Sequence, residues 1–286
     1  MDKEAFLKKL DNIPNLPTLP VIAFKVNKML QDDDVSIRML SETIEKDQAM
    51  VSKILKLVNS AFYGFRSKIN TISHAITILG LSTIRNAIVS IAVVDAFSGK
   101  EAFEGFDITD FWKHSVAVAV TGRHMAEKTR LSAPDEAFVA GILHDVGKVV
   151  LAQYFQEPFG QLLTCVRDDG LSFYEAEKKL LPADHAQIGG RLVKKWQLPA
   201  SLVETITYHH AVMKSAINVN PIMVVHASDY VVNNYKTDSQ DGLELSGLFP
   251  EAAKIMAAEL KALPDWFPAV ATEIEQACDF FIEDGR

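Results

Sequence analysis

Cysteine is scarce in this chain of 286 residues. Its two cysteines, Cys165 and Cys278, lie far apart and form no Cys-x-x-Cys pair. Neither a disulfide framework nor a thiolate zinc cluster can be assembled from them. Because this usage fits a reducing compartment, we expect the protein to be cytoplasmic.

Long hydrophobic runs are also missing. The longest apolar stretches, such as Ala87 to Val94, are interrupted well before the roughly 18 residues that a membrane-spanning helix needs. The first residues, MDKEAFLKKLDNIP, are charged and amphipathic and contain no signal-peptide core. The sequence therefore predicts no membrane association.

Positive charge is not concentrated anywhere along the chain. The formal net charge is −8, and the most basic stretch, Arg191 to Trp196, is better explained as the solvated face of a helix. Nucleic-acid binding by counterion release needs clustered Lys and Arg. We therefore expect no nucleic-acid partner.

Strand patterns are few, whereas apolar residues recur at spacings of three and four along most of the chain. One such stripe is Ile22, Val26, Met29 and Leu30, and another begins after a predicted cap at Asp47. With 48% hydrophobic residues the chain can bury a large core. The pattern predicts an all-α protein with a two-lobed arrangement of many helices.

Two helix starts carry the sequence of a capping box, Ser132 with Asp135 and Ser172 with Glu175. In such a box the serine hydroxyl and the acid three residues later satisfy free amide groups at the first turn. We expect a helix to begin at each serine.

Two breaks organise the chain. A segment rich in Gly and acid, Ser98 to Asp107, divides a helical N-terminal lobe (1–105) from a helical C-terminal lobe (106–286). A second segment, Lys236 to Gly247, is predicted to be an exposed loop. The role of the closing segment from about Phe249 is left open by the sequence.

The C-terminal lobe contains all the candidate metal ligands, each on or beside a predicted helix. They are His114, His144, Asp145, His185, His209, His210 and Asp229. Imidazole and carboxylate donors suit Fe, Mn, Zn, Co or Ni, and the lack of a nearby thiolate argues against a closed structural zinc site. Any one histidine on a helix is more often a hydrogen-bonded structural residue, and we assign His74, His124 and His226 to that class.

Such a ligand set suggests Lewis-acid chemistry. One metal activates water, and a second metal, if Asp145 bridges both, stabilises the other side of a phosphoryl displacement. Lys148 follows His144 by four residues and can add positive charge for a phosphate, although a lone lysine is as often simply solvated. Gly141 and Gly147 can allow close approach of neighbouring helices.

Two other chemistries are disfavoured. The Gly141 to Lys148 segment has the wrong spacing for a phosphate-binding P-loop, and Val149 replaces the Ser or Thr that would hold magnesium. Cys165 has no histidine or other base near it in the sequence, so nucleophilic catalysis by this thiol is not expected.

Several short motifs in order resemble those of HDOD proteins, bacterial regulatory modules related to the HD phosphohydrolases. They are IPNLPTLP from Ile13, KILKLVNSAFYGF from Lys53, INTISHAITILGLSTI from Ile69, FWKHS from Phe111 and GILHDVGK from Gly141. The resemblance covers about Ile13 to Asp229. Where the family usually has Asp-Pro, this chain has Asp47-Gln48.

The resemblance extends to the candidate ligands. His114, His144, Asp145 and Asp229 match the ligand set of HD phosphohydrolases. His185, His209 and His210 match the extra ligands of the HD-GYP phosphodiesterases, which hold two or three metals. Lys148 matches the phosphate-contacting lysine of that relative, and Asp110 is a weaker candidate ligand. The Gly-Tyr-Pro loop is missing, because AVMKSAINVNP follows His210. This departure argues against hydrolysis of cyclic-di-GMP.

The resemblance implies a signalling protein that retains a divalent transition-metal site. We expect the site to be binuclear, with Fe or Mn ahead of Zn, Ni or Co. The favoured function is a regulator that binds a nucleotide or phosphate ligand and acts on a signalling partner in trans. The alternative is an active metal-dependent phosphodiesterase that acts on a nucleotide or cyclic dinucleotide, with Asp145 and Lys148 as catalytic residues. It requires a cleft open to solvent beside them. A third alternative is an adaptor with no metal and an exposed apolar groove.

Overall fold

A computed structural model describes residues 3–13, 16–32, 34–60, 63–65, 67–98, 105–215, 217–235 and 243–283. Within these ranges the chain forms helices and no strand. The all-α prediction is confirmed. Most of the predicted break, 99–104, and of the predicted loop, 236–242, lies outside the described residues.

Six described helices precede the predicted break. They are α1 (Lys3–Asp11), α2 (Val21–Met29), α3 (Ile37–Ile44), α4 (Gln48–Val58), α5 (Ile72–Leu79) and α6 (Leu81–Ser98). Helix α4 begins as predicted, since the Asp47 carboxylate accepts a hydrogen bond from the Met50 amide at 3.0 Å. The apolar stripe on α2 is largely buried, with Ile22 and Val26 in the core.

The helices of the C-terminal half fall into two series. The first series is α7 (Ile108–Thr129), α8 (Pro134–Leu143), α9 (Val146–Tyr154), α10 (Gln156–Asp169), α11 (Phe173–Leu180), α12 (His185–Lys195), α13 (Ala200–Tyr208) and α14 (Val219–Asn234). The second is α15 (Pro250–Ile255), α16 (Ala257–Lys261) and α17 (Leu263–Cys278). A 3₁₀ turn, Val212–Lys214, precedes α14, and a π-helical turn, Asp279–Glu283, follows α17.

One predicted capping box is confirmed and the other is wrong. Ser172 and Glu175 make the reciprocal hydrogen bonds of the box at the start of α11. Helix α8 instead begins after Ala133, and Ser132 makes no capping bond. The Asp135 carboxylate accepts a hydrogen bond from the Thr83 hydroxyl at 2.5 Å. A tertiary contact with α6 has therefore taken the acid that the local pattern assigned to the cap.

Two hydrophobic cores hold the helices together. The larger core is continuous from Phe6 in α1 to Phe281 near the end of the chain, and it includes side chains from both sides of residue 105. The smaller core joins α7 and α14 to the closing segment through residues such as Met125, Met223 and Phe267. The closing segment thus buries the outer face of the helices that carry two candidate ligands. The lobe boundary at residue 105 stays a prediction.

No one helix among the described residues is long and apolar enough to cross a membrane. Two strongly bent pairs of consecutive helices meet the length and composition criteria only when each pair is taken together.

Candidate metal centre

The seven predicted ligands come from helices and helix junctions that meet at one place. His114 lies in α7, and Asp229 lies in α14. His144 and Asp145 occupy the break between α8 and α9, where the chain changes direction. Three more histidines lie at helix ends: His185 begins α12, while His209 and His210 follow α13.

Two glycines allow this convergence. A Cβ atom at Gly147 would lie 2.0 Å from the carbonyl oxygen of His185, and one at Gly141 would lie 2.4 Å from the Cα of Ala119. Any side chain at Gly147 would push α12 away from α9 and separate His185 from Asp145. The predicted close approach at both glycines is confirmed.

The first ligand group, which we call the inner group, consists of Asp145, His185, His209 and His210. The Asp145 Oδ1 atom lies 2.9 Å from His185 Nε2 and 3.9 Å from His209 Nε2. His185 Nε2 in turn lies 3.3 Å from His209 Nε2 and 3.1 Å from His210 Nε2. The side chains of His185 and His209 are fully buried.

The second ligand group, the outer group, consists of His114, His144 and Asp229. The Asp229 Oδ1 atom lies 3.1 Å from His114 Nε2 and 3.7 Å from His144 Nε2. The other carboxylate oxygen of Asp145, Oδ2, lies 3.3 Å from His144 Nε2 and 3.7 Å from His114 Nε2. Asp145 therefore presents one oxygen to each group.

Hydrogen bonds from the ring Nδ1 atoms indicate which imidazole nitrogens face the centre. Nδ1 of His144 contacts the Gly141 carbonyl at 2.7 Å, and Nδ1 of His209 contacts the Ile206 carbonyl at 2.8 Å. Nδ1 of His185 contacts the Glu177 carboxylate at 2.6 Å. Because these oxygens can only accept, each Nδ1 carries a hydrogen, so Nε2 is the atom that faces the centre and offers a lone pair to a metal once its own proton is displaced.

The centre thus concentrates imidazole nitrogens and carboxylate oxygens, the atom types that ligate metals. His144 Nε2 and Asp145 Oδ1 are buried and make no hydrogen bond of good geometry among the described residues, although Asp145 Oδ1 lies 2.9 Å from His185 Nε2. Buried polar atoms without partners are costly, and a cation coordinated by them removes that cost. The arrangement of nitrogen and oxygen donors fits a transition-metal ion, so buried His and Asp clusters that can hold metal are present.

The electrostatics favour bound positive charge. Burial opposes ionisation of Asp145, but His144, Lys148 and His185 outweigh it and hold its pKa well below the usual value. Burial also opposes the charge on His144, yet Asp145 and Asp229 raise its pKa to about 10. Burial and the neighbouring His185 lower the pKa of His210 to about 3. The two carboxylates therefore make the centre negative. They raise the pKa of His144, whereas burial and His185 lower the pKa of His210.

An open cleft of about 870 Å³ lies beside the outer group and is lined by His114, Asp145 and Lys148. The Lys148 ammonium lies 2.6 Å from Asp145 Oδ2 and 5.2 Å from the centre of the Phe173 ring. Burial disfavours the charge on Lys148, but Asp145 and Asp229 raise its pKa, so it stays protonated at neutral pH. The described lining residues all fall between Gly105 and Phe173, and none belongs to α1–α6.

The other candidates lie outside the two groups. Asp110 is at the cleft, but its side chain is 74% exposed and contacts Lys113 at 3.6 Å. His74 is exposed, and His124 stacks on Trp266 with ring centres 4.4 Å apart. His226 lies beneath the centre, where Nδ1 donates to the His209 carbonyl at 2.8 Å and Nε2 accepts from the Phe249 amide at 3.1 Å. The closing segment is thereby fastened to the turn that carries two ligands.

Sequence reasoning missed Glu177. Its side chain is fully buried, and its two oxygens accept hydrogen bonds from the ring Nδ1 and the backbone amide of His185. Such a carboxylate fixes the tautomer and orientation of a ligating imidazole. In the sequence Glu177 lies within YEAEKK, which has the composition of a solvated helix, so no local pattern distinguishes it.

Comparison with known proteins identifies the family. Residues 16–212, more than half of the chain, match the HDOD domain. The chain belongs to the HDOD family. The resemblance inferred from the short motifs is confirmed, and the ligand-bearing residues from His114 to His210 lie inside the matched region.

Solved structures share the HDOD fold over nearly the whole chain. An HDOD domain protein of unknown function from Geobacter sulfurreducens is 26% identical, with a TM-score of 0.78, and the match covers 98% of this chain and 99% of that one. A protein from Shewanella amazonensis SB2B, named by inference as a phosphohydrolase, is 24% identical with a TM-score of 0.76 over 97% and 98% of the two chains.

A curated but uncharacterised protein from Treponema pallidum (strain Nichols) is 24% identical over 214 residues, which is 74% of this chain. The match covers 41% of that protein, so the chain spans about two fifths of the length of this relative.

Proposed function

We propose that this HDOD protein binds two divalent transition-metal ions and hydrolyses a phosphate ester in the cleft beside Lys148. The observation that carries the proposal is the position of Asp145, which presents one oxygen to the inner group and the other to the outer group, next to a cleft. Fe and Mn suit this mixed imidazole and carboxylate set, and we place them ahead of Zn, Ni and Co.

When bound, such ions supply Lewis acidity that activates water and polarises a phosphoryl group. The protein orients its ligands beforehand, because Gly141, Ile206 and Glu177 hold the Nδ1 hydrogens of three imidazoles. This preorganisation means that little rearrangement is needed on binding.

Lys148 is the residue suited to contact the substrate. Its ammonium is positively charged, lies at the cleft and is held in place by Asp145 and the face of Phe173. From there it can donate a hydrogen bond to a phosphate oxygen and offset the charge that develops during hydrolysis. A nucleotide is a substrate of suitable size for a cleft of about 870 Å³.

A signalling role without turnover is the second candidate function. It is favoured by the direct contacts between the N-terminal helices and the helices that carry ligands, including the ion pair between Asp11 of α1 and Arg191 of α12. Through such contacts a bound phosphate ligand at the centre can change the surface that a signalling partner meets. The two candidates share one site and differ in whether the ester is cleaved.

Hydrolysis is tested with protein reconstituted anaerobically with Fe²⁺ or Mn²⁺. The substrates are a chromogenic phosphodiester and a panel of nucleotides and cyclic dinucleotides. We expect metal-dependent turnover that is lost in His185→Ala and retained in His74→Ala, which removes an exposed histidine. Nucleotide binding without turnover would favour the signalling regulator, and neither binding nor turnover with metal present would refute both candidates.

A further inference from the structure

A second concave site lies in the N-terminal half, away from the metal centre. It is a groove of about 1060 Å³ between the segment that precedes α2, helix α2 itself, the turn from α3 to α4, and the end of α12. Its floor is apolar and includes the buried side chains of Leu16, Leu19, Ile22 and Trp196. We call it the lysine-rimmed groove.

The groove is rigidly built. The Trp196 indole donates a hydrogen bond to the Pro17 carbonyl at 2.9 Å, which fastens one wall to the end of α12. Just beyond, the Gln197 carbonyl accepts hydrogen bonds from the side-chain amides of Asn27 at 2.8 Å and Gln31 at 3.1 Å. These bonds connect α2 to the same point, so the groove is preformed for a ligand.

The chemistry of the lining argues against a small polar metabolite. Small-molecule sites need a few polar groups that converge on the ligand. Here the Trp196 N–H is used within the wall, the Thr43 hydroxyl donates to the Met39 carbonyl, and the Asp47 carboxylate caps α4. What remains is an apolar floor whose volume is at the upper end of the usual range for such sites.

The rim is positively charged in a protein whose net charge is −8. Four lysines line the groove against two aspartates, and they are Lys25, Lys28, Lys46 and Lys195. Among the described residues Lys25, Lys28 and Lys46 have no ion-pair partner, while the Lys195 ammonium donates to the Asp11 carbonyl at 3.0 Å. Because these lysines come from separate walls, the charge is spread along the rim and suits several carboxylates better than one anion.

One apolar side chain at the rim also lacks cover. Val21, at the start of α2, lines the groove and is 69% exposed. An amphipathic segment of a partner could cover Val21 with its apolar face while its acidic residues meet the lysines.

We propose that the lysine-rimmed groove binds an acidic amphipathic peptide segment of a partner protein. Helix α12 connects this groove to the metal centre, since His185 is its first residue and Lys195 its last. At about 1.5 Å per residue His185 and Lys195 lie roughly 15 Å apart along the helix axis. The proposed peptide binding does not depend on whether the metal centre cleaves its ligand.

The proposal is tested by selecting phage-displayed random 16-residue peptides on the full chain. The affinity of the enriched peptides, labelled with a fluorophore, is then measured by fluorescence anisotropy for three proteins: wild type, Lys25→Glu/Lys28→Glu and Lys254→Glu/Lys261→Glu. The last is the control, because it makes the same charge change on exposed lysines outside the groove. We expect the enriched peptides to be rich in Asp and Glu and to carry apolar residues at the spacing of an amphipathic segment. Their Kd should rise at least about tenfold in the groove variant and stay within about twofold in the control.

A second groove variant, Val21→Glu, gives an independent result if the double lysine variant misfolds. Val21 is exposed, so its replacement should not disturb the fold. It should also raise the Kd for the enriched peptides at least about tenfold while leaving the melting temperature and metal content at wild-type values. Failure to enrich any peptide, enrichment of basic peptides, or equal binding by both groove variants and wild type would overturn the proposal. Competition for the groove by single-stranded DNA in place of acidic peptides would overturn it as well.

Discussion

The two ligand groups share Asp145 but differ in their surroundings. In the inner group His185 and His209 are fully buried, and the buried Glu177 orients His185. In the outer group the side chain of His114 is 23% exposed and that of Asp229 is 13% exposed, and His114 lines the cleft. Burial with fixed imidazole orientation favours a firmly held ion, whereas exposure leaves a coordination position open to a ligand. The contrast rests on His114 and Asp229, since His144 of the outer group is also fully buried and His210 of the inner group is partly exposed. On the proposed function, the inner group would retain its ion and the outer group would leave a position open to a ligand.

The largest effect is expected where the groups meet. Asp145→Ala removes an oxygen from each group and should empty at least one site and reduce hydrolysis to background. The gain in melting temperature on adding metal should shrink accordingly, since ligand at about a hundred times its Kd stabilises a protein by about 2.7 kcal/mol. The measurement is calorimetry with and without Mn²⁺. Asp168→Ala is the control, because that aspartate is exposed and pairs with the neighbouring Arg167. An undiminished metal-induced shift would contradict the shared role of Asp145.

A change on the cleft side should separate activity from metal content. Lys148→Ala should lower kcat/KM by about a hundredfold, in the range seen on removing one charge-stabilising donor. Metal content should be unchanged or higher, because the ammonium and a metal ion compete for Asp145 Oδ2.

The control for this prediction is Lys113→Ala, which removes a lysine that pairs with Asp110 at 3.6 Å. Elemental analysis beside steady-state kinetics makes the measurement. Loss of metal together with activity would show that Lys148 supports the centre itself and not the substrate.

A change on the buried side should give the opposite pattern. Glu177→Gln keeps the size of the side chain but weakens its hold on His185, and removal of such a partner typically costs roughly 10- to 100-fold in metal affinity. We expect the loss in one of two sites resolved by titration with a competing chelator. The exposed Glu157→Gln is the control. An equal loss of metal affinity at both sites would contradict a difference between the two groups.

The effect of pH should be smaller than the effects of these substitutions. As pH rises, the stability of the metal-free protein should fall, whereas the stabilisation by added metal should increase. The pKa values of His144 and His185 are raised to about 10 and about 9, above the value of 6.5 for an unfolded histidine. In chelated protein the resulting stabilisation is present below pH 6.5 and is lost as pH rises through 9 and 10. Metal needs the same lone pairs, so the metal-induced rise in Tm should grow from pH 6.5 to 9. A rise that is constant over this interval would contradict proton competition.

The residues that converge on the centre could be predicted because they are rare types in a recognisable order. His114, His185 and Asp229 are far apart in the sequence, yet family motifs place them in one helical half. In the structure His185 and His114 lie 2.9 Å and 3.7 Å from the Asp145 carboxylate, and Asp229 lies 3.1 Å from His114. Asp110 shows the limit of this reasoning. It has the right spacing from His114, but its carboxylate points to Lys113 at the cleft.

Features that depend on packing were not predictable. Glu177 is buried where its carboxylate bonds to His185 at the start of α12, and Asp135 bonds to Thr83 of α6 instead of capping a helix. The closing segment likewise carries no motif, although Phe249 bonds to His226 and Trp266 stacks on His124. Each of these contacts joins residues of different elements, so patterns within one helix do not predict them.

The most direct test of the account is the metal-to-protein ratio of the untagged wild type, measured by elemental analysis after anaerobic reconstitution with Fe²⁺ or Mn²⁺ and removal of free ions. We predict two ions per chain, one for each ligand group. A ratio of zero after reconstitution with either metal would contradict the account and leave a helical HDOD module whose buried His and Asp residues serve another purpose.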